Sequence, residues 1–142
     1  ISKTFLIMST LAVGTIKSVS SAAPVIQNSS GTEKGQFAKV WCCFNGSGTV
    51  AILDSFNTSS ISDQGTGEYK INYSSNFSNE NYCIQAGVIG STNMDSVVAS
   101  AKNGGSPSAD REAGGTQFEV RYAPSNSLLD SDRCSVVVFG QN

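Results

Sequence analysis

The chain has 142 residues, 39% apolar and only 14% charged, with a net charge of −2. Its nine basic residues are scattered singly, which excludes a stripe for duplex-DNA phosphates and a basic run for a membrane surface. There is no histidine, which removes Ser-His-Asp and Cys-His catalysis in their usual form and the commonest neutral metal ligand.

That length suits one compact domain plus an extension. In chain order, the N-terminal 23 residues can pass for a secretory signal. Lys3 precedes the apolar run Phe5-Leu6-Ile7-Met8, and Ser21-Ala22-Ala23 resembles a cleavage site. Against this, Ser9 and Thr10 break the run and Lys17 precedes the site. The stretch is also too short and polar to span a bilayer. Residues 9–37 carry isolated apolar residues between Ser, Thr and Gly, so they cannot build a core of their own. They either stay disordered or pack against other chains. Leu11, Val13, Ile16 and Ile26 are therefore the candidate oligomerisation residues.

From residue 38 the strand signals become regular. Residues 38–44 form a run with Trp41, closed by the turn signal Asn45-Gly46. A strand over 49–56 follows, then a polar loop over 57–67 ending in glycines. Residues 68–73 alternate, with Tyr69, Ile71 and Tyr73 on one face and Glu68, Lys70 and Asn72 on the other. Residues 82–89 align Tyr82, Ile84, Ala86 and Val88, and 96–102 make a weaker strand. Residues 116–123 alternate again: Phe118, Val120 and Tyr122 point one way, Gln117, Glu119 and Arg121 the other. The run 134–139 is apolar on both faces, which suits a central strand covered twice or one at a subunit contact. The expectation is that Tyr69, Ile71, Tyr73, Phe118, Val120 and Tyr122 are buried and that Lys70, Glu119 and Arg121 are exposed.

Seven short strands without a helical period give the fold class: all-β, an extended N-terminal segment (1–37) followed by an antiparallel β-sandwich (38–142). Greek-key and jelly-roll orders both stay open. Two loops stand out, 90–96 and 103–115. The second is long for a hairpin connection and holds Asp110, Arg111 and Glu112, the densest charge cluster in the chain. Asp and Arg hydrogen-bond sugar hydroxyls directionally, so these three are the candidate receptor-binding residues. A tolerated insertion is the plain alternative.

No other constellation carries chemistry. The four cysteines, Cys42, Cys43, Cys83 and Cys134, include no Cys-x-x-Cys pair, so a zinc site is not expected. Cys42 and Cys43 point to opposite faces of a strand, and a Cys83–Cys134 disulfide stays open. Asp130-Ser131-Asp132 and Asp63 with Glu68 lack the carboxylate density of a calcium loop and read as solvated turns. Trp41 and the four tyrosines could stack on sugar rings, but their strand positions favour core packing. The expectation is no catalytic residue, no cofactor and no metal. The Asn-x-Ser/Thr matches, such as Asn57-Thr58-Ser59, arise readily by chance in so Ser- and Asn-rich a chain.

One stretch is specific enough to suggest a family. Trp41-Cys42-Cys43-Phe44-Asn45-Gly46 leads to Asn57-Thr58-Ser59-Ser60-Ile61-Ser62-Asp63 and then Gly65-Thr66-Gly67-Glu68-Tyr69. This wording resembles a module of tail-fibre and tail-associated proteins of bacteriophages, marine ones especially. The resemblance covers residues 8–86 and opens at Met8-Ser9-Thr10-Leu11, which leaves residues 1–7 upstream of the usual module start. It implies a virion structural protein on the phage tail or particle surface: a tail fibre or tail-attached receptor-binding protein. It further implies a homotrimer with other tail proteins and a host receptor or glycan as partners. A head-decorating or filament-forming protein, adding its N-terminal segment to a neighbour's sheet, is the alternative. A glycan-cleaving enzyme is a third class.

Overall fold

The computed structural model describes residues 12–17, 24–89, 97–101 and 111–140. The chain divides into two units, 1–35 and 36–142. The first holds an antiparallel pair, β1 (Ile26–Gln27) and β2 (Glu33–Gly35). The Asn28 side chain organises the turn by accepting from the Ser30 and Thr32 N–H groups at 3.2 and 2.8 Å. None of this unit's described residues is buried.

The second unit is a sandwich of two antiparallel sheets. One sheet runs β4-β3-β12-β7, from β3 (Val40–Asn45), β4 (Ala51–Phe56), β7 (Cys83–Ile89) and β12 (Arg133–Phe139). The other is built on β10 (Gly115–Tyr122), which pairs with β6 (Glu68–Tyr73), β8 (Val97–Ala101), β9 (Arg111–Glu112) and β11 (Ser127–Leu128). β6 in turn pairs with β5 (Thr58–Gly65). No helix occurs among the described residues. The last strand returns to lie between β3 and β7, so residues at both ends of the unit meet in one ladder.

The core follows from period-two alternation. Val40, Cys42 and Phe44 from β3, with Cys134, Val136 and Val138 from β12, face Tyr69, Ile71 and Tyr73 from β6 and Phe118 and Val120 from β10. Two aromatic triads fill it. Phe44, Tyr69 and Phe118 have ring centroids 5.1–5.4 Å apart, and Tyr73, Phe77 and Tyr82 lie 4.8–5.9 Å apart. Each fully buried side chain of this size contributes about 1.5–3 kcal/mol.

Several expectations need correction. Residues 57–67 were expected to loop, yet β5 is a strand, because β6 supplies a partner ladder for its backbone although Ile61 is its one large apolar residue. Tyr122 is only half-buried, since it lies past the β6 pairing that ends at Glu119↔Glu68. Lys70, Glu119 and Arg121 do face outward, but they are half-buried because their side chains lie along the sheet in ion pairs. Strand β12 is central by pairing but covered on one face only. All four cysteines are free. Cys134 points into the core opposite Val88, while Cys83 is exposed opposite Phe139, so the two cannot meet. Residues 111–112 of the expected loop 103–115 form β9, while loop 90–96 lies outside the described residues.

Candidate functional site

The outer face of the β4-β3-β12-β7 sheet carries the residues that alternation left out of the core. The register sets Phe56, Trp41, Val137 and Gln85 in one cross-strand row and Asp54, Cys43, Ser135 and Gly87 in the next. Phe139 and Cys83 pair beyond the first row, and Arg133 pairs with Ile89 beyond the second. Trp41 therefore stands on the outer face and not in the core as expected. Val40, Cys42 and Phe44 take the three inward positions of the same strand and leave it no room inside. The face stays apolar and open: Leu53 is 51% exposed, Phe56 54%, Ile89 65% and Phe139 39%. A bulge between Cys43 and Phe44 displaces Leu53 from the regular alternation.

The other sheet's outer face has the opposite character. Lys70 Nζ lies 3.0 Å from both Glu112 carboxylate oxygens, and Arg121 makes a two-pronged pair with Glu119 at 2.6 and 2.8 Å. The Asn72 amide donates to the Ser60 and Ser62 hydroxyls at 3.0 and 3.2 Å. This face satisfies its charges within one chain.

The receptor-binding candidates separate. Asp110 lies outside the described residues. Arg111 is half-buried and donates to the Tyr82 carbonyl at 3.4 Å, while Glu112 is exposed and holds Lys70. Both are drawn back onto the sandwich by β9, which pairs Arg111↔Thr116 and Glu112↔Gly115. Of the oligomerisation candidates, Leu11 lies outside the described residues, and Val13 (51%), Ile16 (63%) and Ile26 (49%) are exposed, as is Val25 (54%).

Sequence reasoning missed two further arrangements. Asp130 was read as part of a solvated turn, but its Oδ1 accepts from the Gly67 N–H at 2.7 Å and from the Tyr69 hydroxyl at 3.1 Å. Tyr69 also donates to the Gly46 carbonyl at 2.7 Å, directly beneath that glycine. Gly67 has φ +66°, and its carbonyl accepts from the Val120 N–H at 2.8 Å. The motif glycines are thus both tied to Asp130, Gly67 directly by its N–H and Gly46 through the Tyr69 hydroxyl. Burial, reinforced by the Asp130 carboxylate, pushes the Tyr69 phenol up. The second arrangement is Tyr73. Its hydroxyl is buried without a hydrogen-bond partner among the described residues, and desolvation, with Tyr82 adding to it, pushes it up as well. Tyr82 spends its own hydroxyl proton on the Gly115 carbonyl at 2.7 Å and the Glu112 carbonyl at 3.0 Å.

Burial also pushes the inward thiols up, Cys42 to about 11 and Cys134 to about 12. They are held as thiols, without nucleophilic character at neutral pH. Among the described residues no group of three His, Cys, Asp or Glu side chains is placed to hold a metal ion, and no helix is long and apolar enough to cross a membrane.

No family model and no curated protein matches the chain. A solved structure that it resembles is the phiAB6 tailspike, determined in complex with three-repeated oligosaccharides of Acinetobacter baumannii surface polysaccharide. The TM-score is 0.47 and the sequence identity 17%, over 93% of this chain and 31% of that chain. The chain therefore spans less than a third of the tailspike's length.

Proposed function

We propose that the chain is a phage virion structural protein, a tail fibre or tail-attached receptor-binding protein that works as a homotrimer in host attachment. The observation that carries this reading is the N-terminal unit. Val13, Ile16, Val25 and Ile26 are all about half exposed or more, and no described residue of that unit is buried. A single chain gains little from such residues, whereas an assembly buries them. The Trp41-to-Tyr69 motif resemblance gives the assembly its identity as a phage particle. The sandwich serves as the head, and loop 103–115, with Asp110, Arg111 and Glu112, meets a host receptor or glycan. The work is binding and assembly, without catalysis and without a cofactor.

A head-decorating or filament-forming protein is the second reading. It is favoured by β4, which among the described strands pairs only with β3 and so leaves an edge open to a neighbour's arm. Adsorption tests the function: purified chain should compete with intact phage for host cells, and particles lacking it should fail to adsorb. Normal adsorption of particles lacking the chain would contradict the attachment role. Release of reducing sugar from host envelopes would contradict the absence of catalysis.

A further inference from the structure

We propose that the outer face of the β4-β3-β12-β7 sheet is the contact between copies of this chain, with Asp54 of one copy pairing with Arg133 of the next. The proposal names the surface through which the homotrimer read above would close, and it rests on that reading for the number of copies only.

Composition is the first support. Trp41, Phe56, Val137 and Phe139 are contiguous by register across β4, β3 and β12, and Cys43 and Cys83 border them. Aromatic enrichment with depletion of charge is what marks the centre of a protein–protein contact. Sugar sites also use aromatic platforms, but they surround them with converging polar groups. Here Gln85 ends the aromatic row on β7 with its amide on the Ala86 carbonyl at 3.2 Å, the next row offers a thiol, a hydroxyl and a glycine with Asp54 at its edge, and Arg133 lies beyond that row.

Charge is the second and more specific support. Among the described residues, the ion pairs on the opposite sheet, Lys70 with Glu112 and Arg121 with Glu119, close within the chain. Asp54 and Arg133 behave differently. Both are exposed on this face, and neither has an ion-pair partner among the described residues. Among the described residues Asp54 accepts from the neighbouring Ser55 N–H alone, at 2.8 Å. The acid stands on the edge strand β4 and the base on β12, two strands away. Two strand spacings are roughly 10 Å, and the two side chains form no ion pair with each other within the sheet. A contact that sets the β4 half of one face against the β12–β7 half of the next brings Asp54 to Arg133. It also brings Phe56 toward Val137 and Phe139. Repeated around an axis, that head-to-tail contact closes into a ring of three when each step turns by a third of a revolution.

The test uses the full chain and follows mass by sedimentation velocity across a concentration series, with circular dichroism and melting temperature as folding controls. Phe56→Glu replaces an exposed edge-strand residue and should leave the fold intact while giving a monomer. Asp54→Arg and Arg133→Asp should each weaken association at least about tenfold, or about 1.4 kcal/mol. Combining them should restore association to within about threefold of the parent, as expected for a directly coupled pair. Labelling of Cys83 should slow as the parent protein assembles and stay fast in Phe56→Glu. A parent chain that stays monomeric overturns the proposal, including one that binds oligosaccharide through Trp41. So does a folded Phe56→Glu variant that keeps its oligomer, since the contact would then lie elsewhere, in the N-terminal unit for example. A dimer lost in Phe56→Glu and rescued by the charge swap upholds the surface and contradicts the homotrimer. Loss of host adsorption is scored separately and bears on the function alone.

Discussion

Tyr69 and Tyr73 lie on the same strand, face the same core and are both buried, yet removing their hydroxyls should change stability in opposite directions. In Tyr69→Phe the Gly46 carbonyl loses its donor at 2.7 Å and Asp130 loses one of two donors. A buried hydrogen bond contributes about 0.5–1.5 kcal/mol net, and an abandoned buried acceptor adds about 1–3 kcal/mol. The neighbouring turn can recover part of this, so the expected destabilisation is about 2 kcal/mol. In Tyr73→Phe no hydrogen bond among the described residues is lost, because the hydroxyl has no partner there. Replacing it removes a desolvation penalty of about 1–3 kcal/mol, set against a small void where the oxygen sat. The expected change is therefore between zero and about 1 kcal/mol of stabilisation. Melting entropy of about 2.1 cal/mol/K per residue over a unit spanning residues 36–142 converts each kcal/mol into about 4 °C. Tyr69→Phe should melt about 8 °C lower and Tyr73→Phe at the parent temperature or up to about 4 °C higher. Thermal and urea unfolding followed by circular dichroism read both variants. Equal losses in the two would refute the reasoning, since they would mean that a water or a neighbouring hydroxyl satisfies Tyr73.

Other outcomes follow from the same geometry. Gly67→Ala should destabilise the sandwich by about 2–4 kcal/mol in a denaturant titration, because φ is +66° and an added Cβ would lie 2.7 Å from the Leu129 and Val120 backbones. In the dissociated chain Cys83 should react first with a thiol reagent, while Cys42 and Cys134, buried in the core, should react only on unfolding. Cys42, Cys134, Tyr69 and Tyr73 all hold their protons more tightly when folded; the thiols' contribution is complete below about pH 9 and is lost as pH rises through about 11–12, while that of the two phenols, complete below about pH 10, is lost at still higher pH. Melting temperature should fall over that alkaline range, and fall less steeply in Cys42→Ala, where Cys134, Tyr69 and Tyr73 still titrate. Replacing Asp110 and Arg111 together by alanine should weaken host adsorption with little change in melting temperature, since among the described residues the Arg111 side chain makes one long bond, of 3.4 Å, to the sandwich.

Where polar and apolar residues alternate strictly, the sequence carried the fold. Residues 68–73, and 116–120 of the expected strand 116–123, have their inward faces read correctly because one face of each is apolar and the other polar, while Tyr122 beyond them is only half-buried. Residues 40–45 and 133–139 defeat the same logic. Trp41, Cys43, Val137 and Phe139 are as apolar as the residues they alternate with, and only the tertiary structure shows which set faces the other sheet. Assigning the largest aromatic to the core was the error at Trp41, and it hid the apolar face. Strand β5 went unseen because Ser and Thr carry little pattern, while its pairing to β6 is a backbone matter. The motif's polar letters were legible as turns but not as contacts. Asn57 adopts φ +54° and ties the Lys39 and Ser75 backbones together, and Asn45 closes the Ser47–Thr49 turn. Asp130 lies 63 residues from Gly67, a separation at which no local rule applies.

The most direct test of the attachment role is the position and copy number of this chain in an assembled particle, read by electron cryomicroscopy and by quantitative mass spectrometry of purified virions. The account expects the chain on the tail, in closed threefold clusters, with the apolar sheet faces turned toward one another. A chain confined to the head lattice, strung in open head-to-tail rows, or missing from the particle would contradict it.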